Sequence, residues 1–227
     1  MHYVIICSVV FVCVYGPRLW VNYVLNKHHK HMPGMPGTGG ELAIHLLDQF
    51  RLDEVKVEQT QQGEDYYSPA DNKVCLSPEV YTGKSLSAVA VAAHEVGHAI
   101  QFNRNEAVSL LRGKYLNKAH AVQHYGVCIL MSIPIIGPLF AAAHLAIIAA
   151  IVGVVTMFAS VMLYVAILPE EWDASFNKAL PILEKGAYVP AEYLPAIRQV
   201  LKACALTYVA AALSDILNIW RWIAIIK

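Results

Sequence analysis

Two histidines and a glutamate stand at metal-ligand spacing inside one apolar segment, as His94, Glu95 and His98. Residues four apart share a helical face, so the imidazoles of His94 and His98 can bind one zinc ion. Glu95 can then act as a general base toward a water molecule. A solvated helix with structural histidines is the alternative, but small and β-branched apolar residues flank all three positions. Buried polar groups need partners, and the pattern predicts a metallopeptidase helix.

The third protein ligand of such a zinc must come from elsewhere in the chain. A catalytic zinc takes three protein ligands and leaves a fourth position open. No histidine follows His98 at short spacing, so a distant carboxylate is expected. The candidates are Glu170, Glu171 and Asp173, an acidic cluster at the end of an apolar segment. Spacing alone leaves the choice among them open.

The composition places the chain in a membrane. It has 227 residues, 57% of them hydrophobic and 15% charged, with a mean hydropathy of +0.46. These values are too apolar for an ordinary soluble domain. Crossing the hydrocarbon core takes about 20 residues of helix. Four segments satisfy this and predict an integral membrane protein of mainly α class: residues 3–24, 122–139, 145–168 and 203–225.

These spans divide the chain into five parts. Residues 1–27 form a first transmembrane anchor, and residues 28–120 form a polar domain that contains the metal helix. Residues 121–168 form the second and third spans, 169–202 form a helical segment with the third ligand, and 203–227 form the fourth span. The two polar parts are expected to fold together over the membrane.

Charge gives the orientation and excludes one class of partner. The net charge is zero and no long basic run occurs, so nucleic acid is not an expected partner. Basic residues concentrate in the loops between spans one and two and between spans three and four. By the positive-inside rule, the active site is predicted to face the cytoplasm. A transporter is supported only by Asp215 and Arg221 in the fourth span.

The polar domain is predicted to be a small zincin-like α+β unit. Thr38 precedes a short amphipathic helix, and alternating residues at 55–59 and 73–76 predict strands of a short antiparallel sheet. The strand at Val74, Cys75 and Leu76 directly precedes the metal helix. It is a candidate edge strand that could bind an extended substrate by main-chain hydrogen bonds. Simple packing of this strand on the helix is the alternative.

Four blocks of sequence carry a resemblance to a known family: Leu76–Tyr81, Ser87–Ala99, Leu168–Ser175 and Ala205–Leu213. In their order and residues they resemble the bacterial membrane-bound neutral zinc metallopeptidases, and the resemblance covers nearly the whole chain. It implies one zinc ion per chain.

The resemblance also assigns roles within these blocks. It implies Glu171, ahead of Glu170, as the third ligand, and Asp173 as a residue that orients a ligand histidine. Tyr208, in the last block, could donate a hydrogen bond to a developing oxyanion, although a packing or lipid-facing role is the simpler interpretation.

The chain departs from related patterns at two places. Ser175 stands where the larger membrane zinc proteases of the heat-shock and prenyl-protein type tend to have aspartate. The segment 65–69 lacks a histidine and aspartate pair that the family pattern leads us to expect.

The function predicted from these features is zinc-dependent endopeptidase activity in a membrane. The expected substrates are peptides or proteins, including membrane proteins, and the expected location is the bacterial inner membrane. The competing hypothesis is an inactive zinc-binding scaffold that keeps His94, His98 and Glu171. Glu95 favours the enzyme, because a structural zinc site needs no carboxylate between its histidines.

Overall fold

The computed structural model of the chain describes residues 2–140 and 143–216 and is mainly helical. In these residues the α-helices are α1 (His2–Lys27), α2 (Gly39–Gln49), α3 (Pro78–Tyr81), α4 (Leu86–Asn103), α5 (Leu110–Phe140), α6 (Ala143–Val165), α7 (Leu168–Trp172), α8 (Leu180–Lys185) and α9 (Leu194–Asp215). The strands are β1 (Lys56–Gln59), β2 (Tyr66–Ser68) and β3 (Lys73–Leu76). A π-helical segment, Asp173–Ala179, joins α7 to α8, and short 3₁₀ turns precede α5 and α9.

The three strands form a mixed sheet in the order β1-β3-β2. β3 pairs parallel with β1, with Val74 opposite Val57, and antiparallel with β2, with Val74 opposite Tyr67. The prediction of a purely antiparallel sheet is therefore wrong. Alternation of apolar residues determines which face of the sheet a side chain occupies, but it carries no information about strand order.

The same topology corrects the predicted substrate strand at Val74, Cys75 and Leu76. β3 is the central strand, and β1 and β2 pair with it on its two sides. Its backbone groups are used within the sheet, so they are not open to an added peptide strand. The alternative interpretation, that β3 packs on the metal helix, agrees with the contact between β3 and α4.

The chain divides into two compact units. The helical unit contains Met1–Leu19, Leu111–Leu168 and Thr207–Lys227. The site unit contains Trp20–Leu110 and Pro169–Leu206. All three strands, the metal helix α4 and the π-helical segment belong to the site unit.

Three helical stretches among the described residues are long and apolar enough to cross a membrane: Ser8–Lys27, His144–Lys185 and Ala191–Asp215. They overlap the first, third and fourth predicted spans. The second predicted span, 122–139, lies in α5 and extends into residues whose side chains are outside the described part. The fourth predicted span, 203–225, continues beyond residue 216, the last described residue. The apolar helical stretch that overlaps it begins at Ala191, earlier than the predicted start at residue 203.

The helical unit packs α1, α5, α6 and α9 around a shared apolar core. Its buried residues are Val14, Ala119, Val127, Met157, Val161, Tyr164, Ile167, Ala212 and Ile216. Small and medium side chains dominate this set. Ala119 and Ala212 are small enough to let helices approach closely, as in helix packing within a membrane.

Asp215, an acidic residue in a candidate span, has partners within the helical unit. It accepts a hydrogen bond from Gln123 Nε2 at 3.0 Å, and the Arg18 guanidinium lies 3.8 Å from its other oxygen. Arg18 also donates to the Ser214 hydroxyl at 2.9 Å. A buried charge needs such partners, so Asp215 is accounted for by helix association without a transport role. Arg221 lies outside the described residues.

Asp65 connects two elements of the site unit in the segment where a histidine and aspartate pair was expected. Its carboxylate accepts hydrogen bonds from the backbone N–H of Ser77 at 2.7 Å and from the Ser77 hydroxyl at 3.2 Å. Burial raises the pKa of Asp65, while the hydrogen bonds from Ser77 oppose that rise. Asp65 therefore ties the start of β2 to the start of α3.

The predicted helix after Thr38 is confirmed as α2, and Thr38 caps it. The Thr38 hydroxyl accepts from the backbone N–H of Glu41 at 3.1 Å, and the Glu41 carboxylate accepts from the backbone N–H of Thr38 at 2.7 Å. This capping box satisfies two backbone donors at the helix start. Leu42, Ala43 and Leu46 then face the interior of the site unit.

We expect Thr38→Ala to lower the free energy of unfolding by about 1 kcal/mol, because the capping acceptor is lost. Thr38→Ser keeps the hydroxyl and should retain most of that stability. Chemical denaturation of the detergent-purified chain measures both variants. Equal losses in the two variants would show that the hydroxyl contributes nothing to the stability of α2.

Candidate metal centre

The metal helix α4 is buried over most of its length. Its N-cap, Ser85, accepts a hydrogen bond from the backbone N–H of Ala88 at 3.1 Å, and every residue from Leu86 to Gln101 is buried. His94 and His98 lie one turn apart on this helix, with their Nε2 atoms 3.3 Å from each other. The predicted sharing of one helical face is confirmed.

The Glu171 carboxylate completes a group of three metal-ligating side chains. Its Oε2 lies 3.3 Å from His94 Nε2 and 3.2 Å from His98 Nε2. One donor atom from each of the three residues lies within 4.8 Å of the others, and all three residues are buried. Of the described residues, this is the one group of three or more such side chains with that geometry.

Glu170 occupies a different position from its neighbour. Its carboxylate is 4.0 Å from Nδ1 of His98, on the side of the ring away from Glu171. Glu171 is thus the carboxylate that the structure brings to both Nε2 atoms. Glu171 is therefore the better-placed candidate for the third ligand, because Glu170 approaches the other ring nitrogen of His98.

The donor set fits zinc on its chemistry. Two imidazole nitrogens and one carboxylate oxygen, with a position left for water, form a set found at catalytic zinc sites. A buried carboxylate needs a cationic or hydrogen-bonding partner, and a divalent ion bound by all three side chains would supply one. The donor atoms of His94, His98 and Glu171 therefore fit a bound divalent ion.

Ser175 orients His94 from behind the ring. Its hydroxyl lies 3.0 Å from His94 Nδ1 and donates its single proton to the carbonyl oxygen of Leu201 at 3.0 Å. At His94 it must therefore accept, which places the ring proton on Nδ1. Nε2 then directs a lone pair toward Glu171, as a ligand histidine requires.

The two predicted supporting residues, Asp173 and Tyr208, have different surroundings. Asp173 accepts a hydrogen bond from Gln101 Nε2 at 2.8 Å, so it reaches the histidines only through another side chain. Tyr208 belongs to the helical unit, where its ring stacks on Tyr164 at 6.4 Å and lies under the Arg112 guanidinium at 5.9 Å. A packing role accounts for these contacts of Tyr208.

Gly97 permits the close approach that brings the ligands together. A Cβ atom at this position would lie 2.7 Å from the carbonyl oxygen of Ala174, in the π-helical segment. The backbones of α4 and of this segment are therefore in direct contact. Ser175 lies next to that contact and Glu171 lies three residues before it.

Glu95 stands between the two ligand histidines in the sequence of α4 and is 6% exposed. Glu170 and Glu171 are buried as well, at 4% and 2% exposed. A divalent cation in this region would offset their mutual repulsion.

Comparison with known proteins finds a family and a curated relative. A family model described as "Putative neutral zinc metallopeptidase" matches residues 3–227. The chain belongs to this family. A curated relative, "Putative membrane protease YugP" of Bacillus subtilis (strain 168), is 32% identical over 221 residues, which cover 92% of each chain. No solved structure matches the chain at a significant level.

Sequence reasoning missed two residues that contact the candidate ligand histidines. Ser175 was noted only as a departure from aspartate, and Gln101 was not singled out. The signal for Ser175 was its position four residues after Glu171. Gln101 follows His98 by three residues. This spacing makes the two side chains neighbours on a helix, and it could have identified Gln101.

We expect Gly97→Ala to lower the melting temperature and to weaken zinc binding, because the added methyl group meets the Ala174 carbonyl. Overpacking of this kind costs about 1–3 kcal/mol. Gly113→Ala is the matched control, since a Cβ atom there has no neighbour within 4 Å. Thermal unfolding and zinc retention after gel filtration measure both variants. Equal behaviour of the two would contradict the close approach at Gly97.

Proposed function

We propose that this protein is a membrane-embedded, zinc-dependent endopeptidase that hydrolyses peptide bonds with an activated water. The observation that carries the proposal is the convergence of His94, His98 and Glu171 within 4.8 Å, with Glu95 following His94 on the same buried helix. The first three residues would hold one zinc ion. Glu95 supplies what a purely structural site does not need.

The chemistry divides between the metal and the chain. When bound, zinc would act as a Lewis acid on the scissile carbonyl and lower the pKa of water. Glu95 accepts a proton from the attacking water and returns it to the leaving amine. Ser175 keeps His94 in the ligand tautomer through the carbonyl of Leu201. The buried setting strengthens each of these electrostatic interactions.

The alternative is a zinc-binding membrane scaffold without activity. One observation favours it: His94, Glu95 and His98 are 4%, 6% and 3% exposed, so a substrate has little access to them in this conformation. An active enzyme must open a path for an extended peptide. A scaffold needs only the three ligands and has no use for Glu95.

The proposed location and substrate rest on the apolar helices, the described relative and the charge of the loops. Three stretches of the described residues could cross a membrane, and the Bacillus subtilis relative is described as a membrane protease. We propose the bacterial inner membrane, with the metal centre on the cytoplasmic side as loop charge indicates. Peptides or proteins, including membrane proteins, are the proposed substrates.

We expect Glu95→Gln to bind zinc as the natural chain does and to hydrolyse an unstructured protein substrate at least about 100-fold more slowly, since a general base typically contributes that much. The chain is purified in detergent and matched for zinc content. Glu184→Gln is the control, because Glu184 is an exposed carboxylate that pairs with Arg198 at 3.6 Å.

Cleavage by the natural chain and by Glu184→Gln, but not by Glu95→Gln, supports the endopeptidase. Equal cleavage by Glu95→Gln would exclude Glu95 as the base. If the zinc-loaded natural chain cleaves nothing in detergent or in reconstituted vesicles, the scaffold is the better account.

A further inference from the structure

Gln101 is a completely buried side chain, 0% exposed, one turn beyond His98 on α4. A buried amide has to satisfy two donors and an acceptor, and leaving one unsatisfied costs about 1–3 kcal/mol. Its Oε1 lies 3.0 Å from Nδ1 of His98. The Glu170 carboxylate, at 4.0 Å from the same nitrogen, is too distant for a hydrogen bond.

The neighbours of Gln101 decide which way its amide points. The nitrogen lies 3.0 Å from the carbonyl oxygen of Glu170 and 2.8 Å from the carboxylate of Asp173. A backbone carbonyl accepts hydrogen bonds and cannot donate them, and an ionised carboxylate does the same. The reversed amide would place its oxygen against both of them. The amide oxygen therefore faces His98.

This direction determines the tautomer of His98. Because Gln101 Oε1 can only accept, His98 must donate from Nδ1, and its ring proton is held there. In the neutral imidazole, Nε2 then carries the lone pair on the side of Glu171. We propose that Gln101 is the positioning residue that holds His98 in its metal-binding tautomer, and that Asp173 fixes the direction of the Gln101 amide.

The π-helical segment holds Asp173 in place for this role. In a π-helix the residues four and five positions apart are neighbours. Asp173 accordingly accepts from the Asn177 amide at 2.6 Å and from Lys178 Nζ at 3.1 Å. Lys178 also pairs with Glu106 at 2.9 Å, in the loop that follows α4. The network thus begins on α4, crosses the π-helical segment and returns to the chain just after α4.

The inference rests on the proposed zinc site, but not on hydrolysis. Its test measures the zinc dissociation constant of the full-length, detergent-purified chain by competition with a chelator. We expect Gln101→Leu to bind zinc about 10- to 100-fold more weakly, the usual effect of losing a partner of a ligand histidine. Gln123→Leu removes another buried glutamine, in α5, and should bind zinc as the natural chain does.

A second readout separates positioning from a general loss of structure. In the metal-free protein with ¹⁵N-labelled histidine, NMR reports which ring nitrogen carries the proton. We expect His98 to lose its Nδ1–H preference in Gln101→Leu, whereas His94, which Ser175 holds, keeps its own. If both histidines change together, the effect is general and the proposal fails.

Asp173→Asn tests the second half of the proposal and covers the case in which Gln101→Leu does not fold. Asparagine keeps the size of the side chain but can donate toward Gln101, which allows the amide to turn. We expect weaker zinc binding and a mixed tautomer at His98, both smaller in extent than in Gln101→Leu.

Zinc binding within about twofold of the natural chain in Gln101→Leu, with His98 still protonated at Nδ1, would overturn the inference, since a ligand's partner contributes more than that. An unchanged tautomer in Asp173→Asn would overturn the role of Asp173. A natural chain that binds zinc but hydrolyses no peptide contradicts the proposed function alone.

Discussion

The direct contact between the backbones of α4 and the π-helical segment is the constraint on which the metal centre depends. His98 and Glu171 are 73 residues apart in sequence and 3.2 Å apart in space. That distance is possible because Gly97 has no side chain at the point where the Ala174 carbonyl meets α4. The ligands come from either side of this contact, and so do the groups that orient them. A protein interior is packed too densely to absorb a change there locally.

The two ligand histidines are oriented by different groups: the Ser175 hydroxyl of the π-helical segment and the Gln101 amide of α4 itself. His94 donates to a hydroxyl whose own proton is committed to a backbone carbonyl of α9. His98 faces an amide whose nitrogen is committed to a carbonyl and a carboxylate. In both cases a group one step further from the metal determines the direction of the hydrogen bond. Preorganisation of this kind avoids reorientation of the ligands when a cation binds.

The sequence was sufficient for the part of the site that lies within one helix. His94, Glu95 and His98 follow from helical periodicity, and their burial follows from the apolar flanks. Glu171 required the family resemblance, because nothing in local spacing tells it from Glu170. Gln101 and Ser175 escaped prediction, since their importance arises from contacts between distant segments. The π-helical geometry of Asp173–Ala179 had no sequence signal that we recognised.

In the fold, too, the local features could be predicted from the sequence and the contacts between distant segments could not. Helices with strong apolar character and a capping residue were predictable from local pattern, as α2 and α6 show. The order of the three strands was not predictable from local pattern. β1 pairs in parallel with β3, and β2, which lies between them in sequence, pairs with the opposite edge of β3. Strand pairing depends on how the chain returns to the sheet, which alternation does not encode.

Zinc K-edge X-ray absorption on the zinc-loaded, full-length protein tests the central claim most directly. The account predicts that zinc binds two imidazole nitrogens and that its other ligand atoms are oxygens, all at about 2.0–2.2 Å from the metal. Glu171→Ala should bind zinc poorly or replace its oxygen by solvent. A sulfur neighbour at about 2.3 Å, as Cys204 would supply, or fewer than two imidazoles, would contradict a centre built from His94, His98 and Glu171.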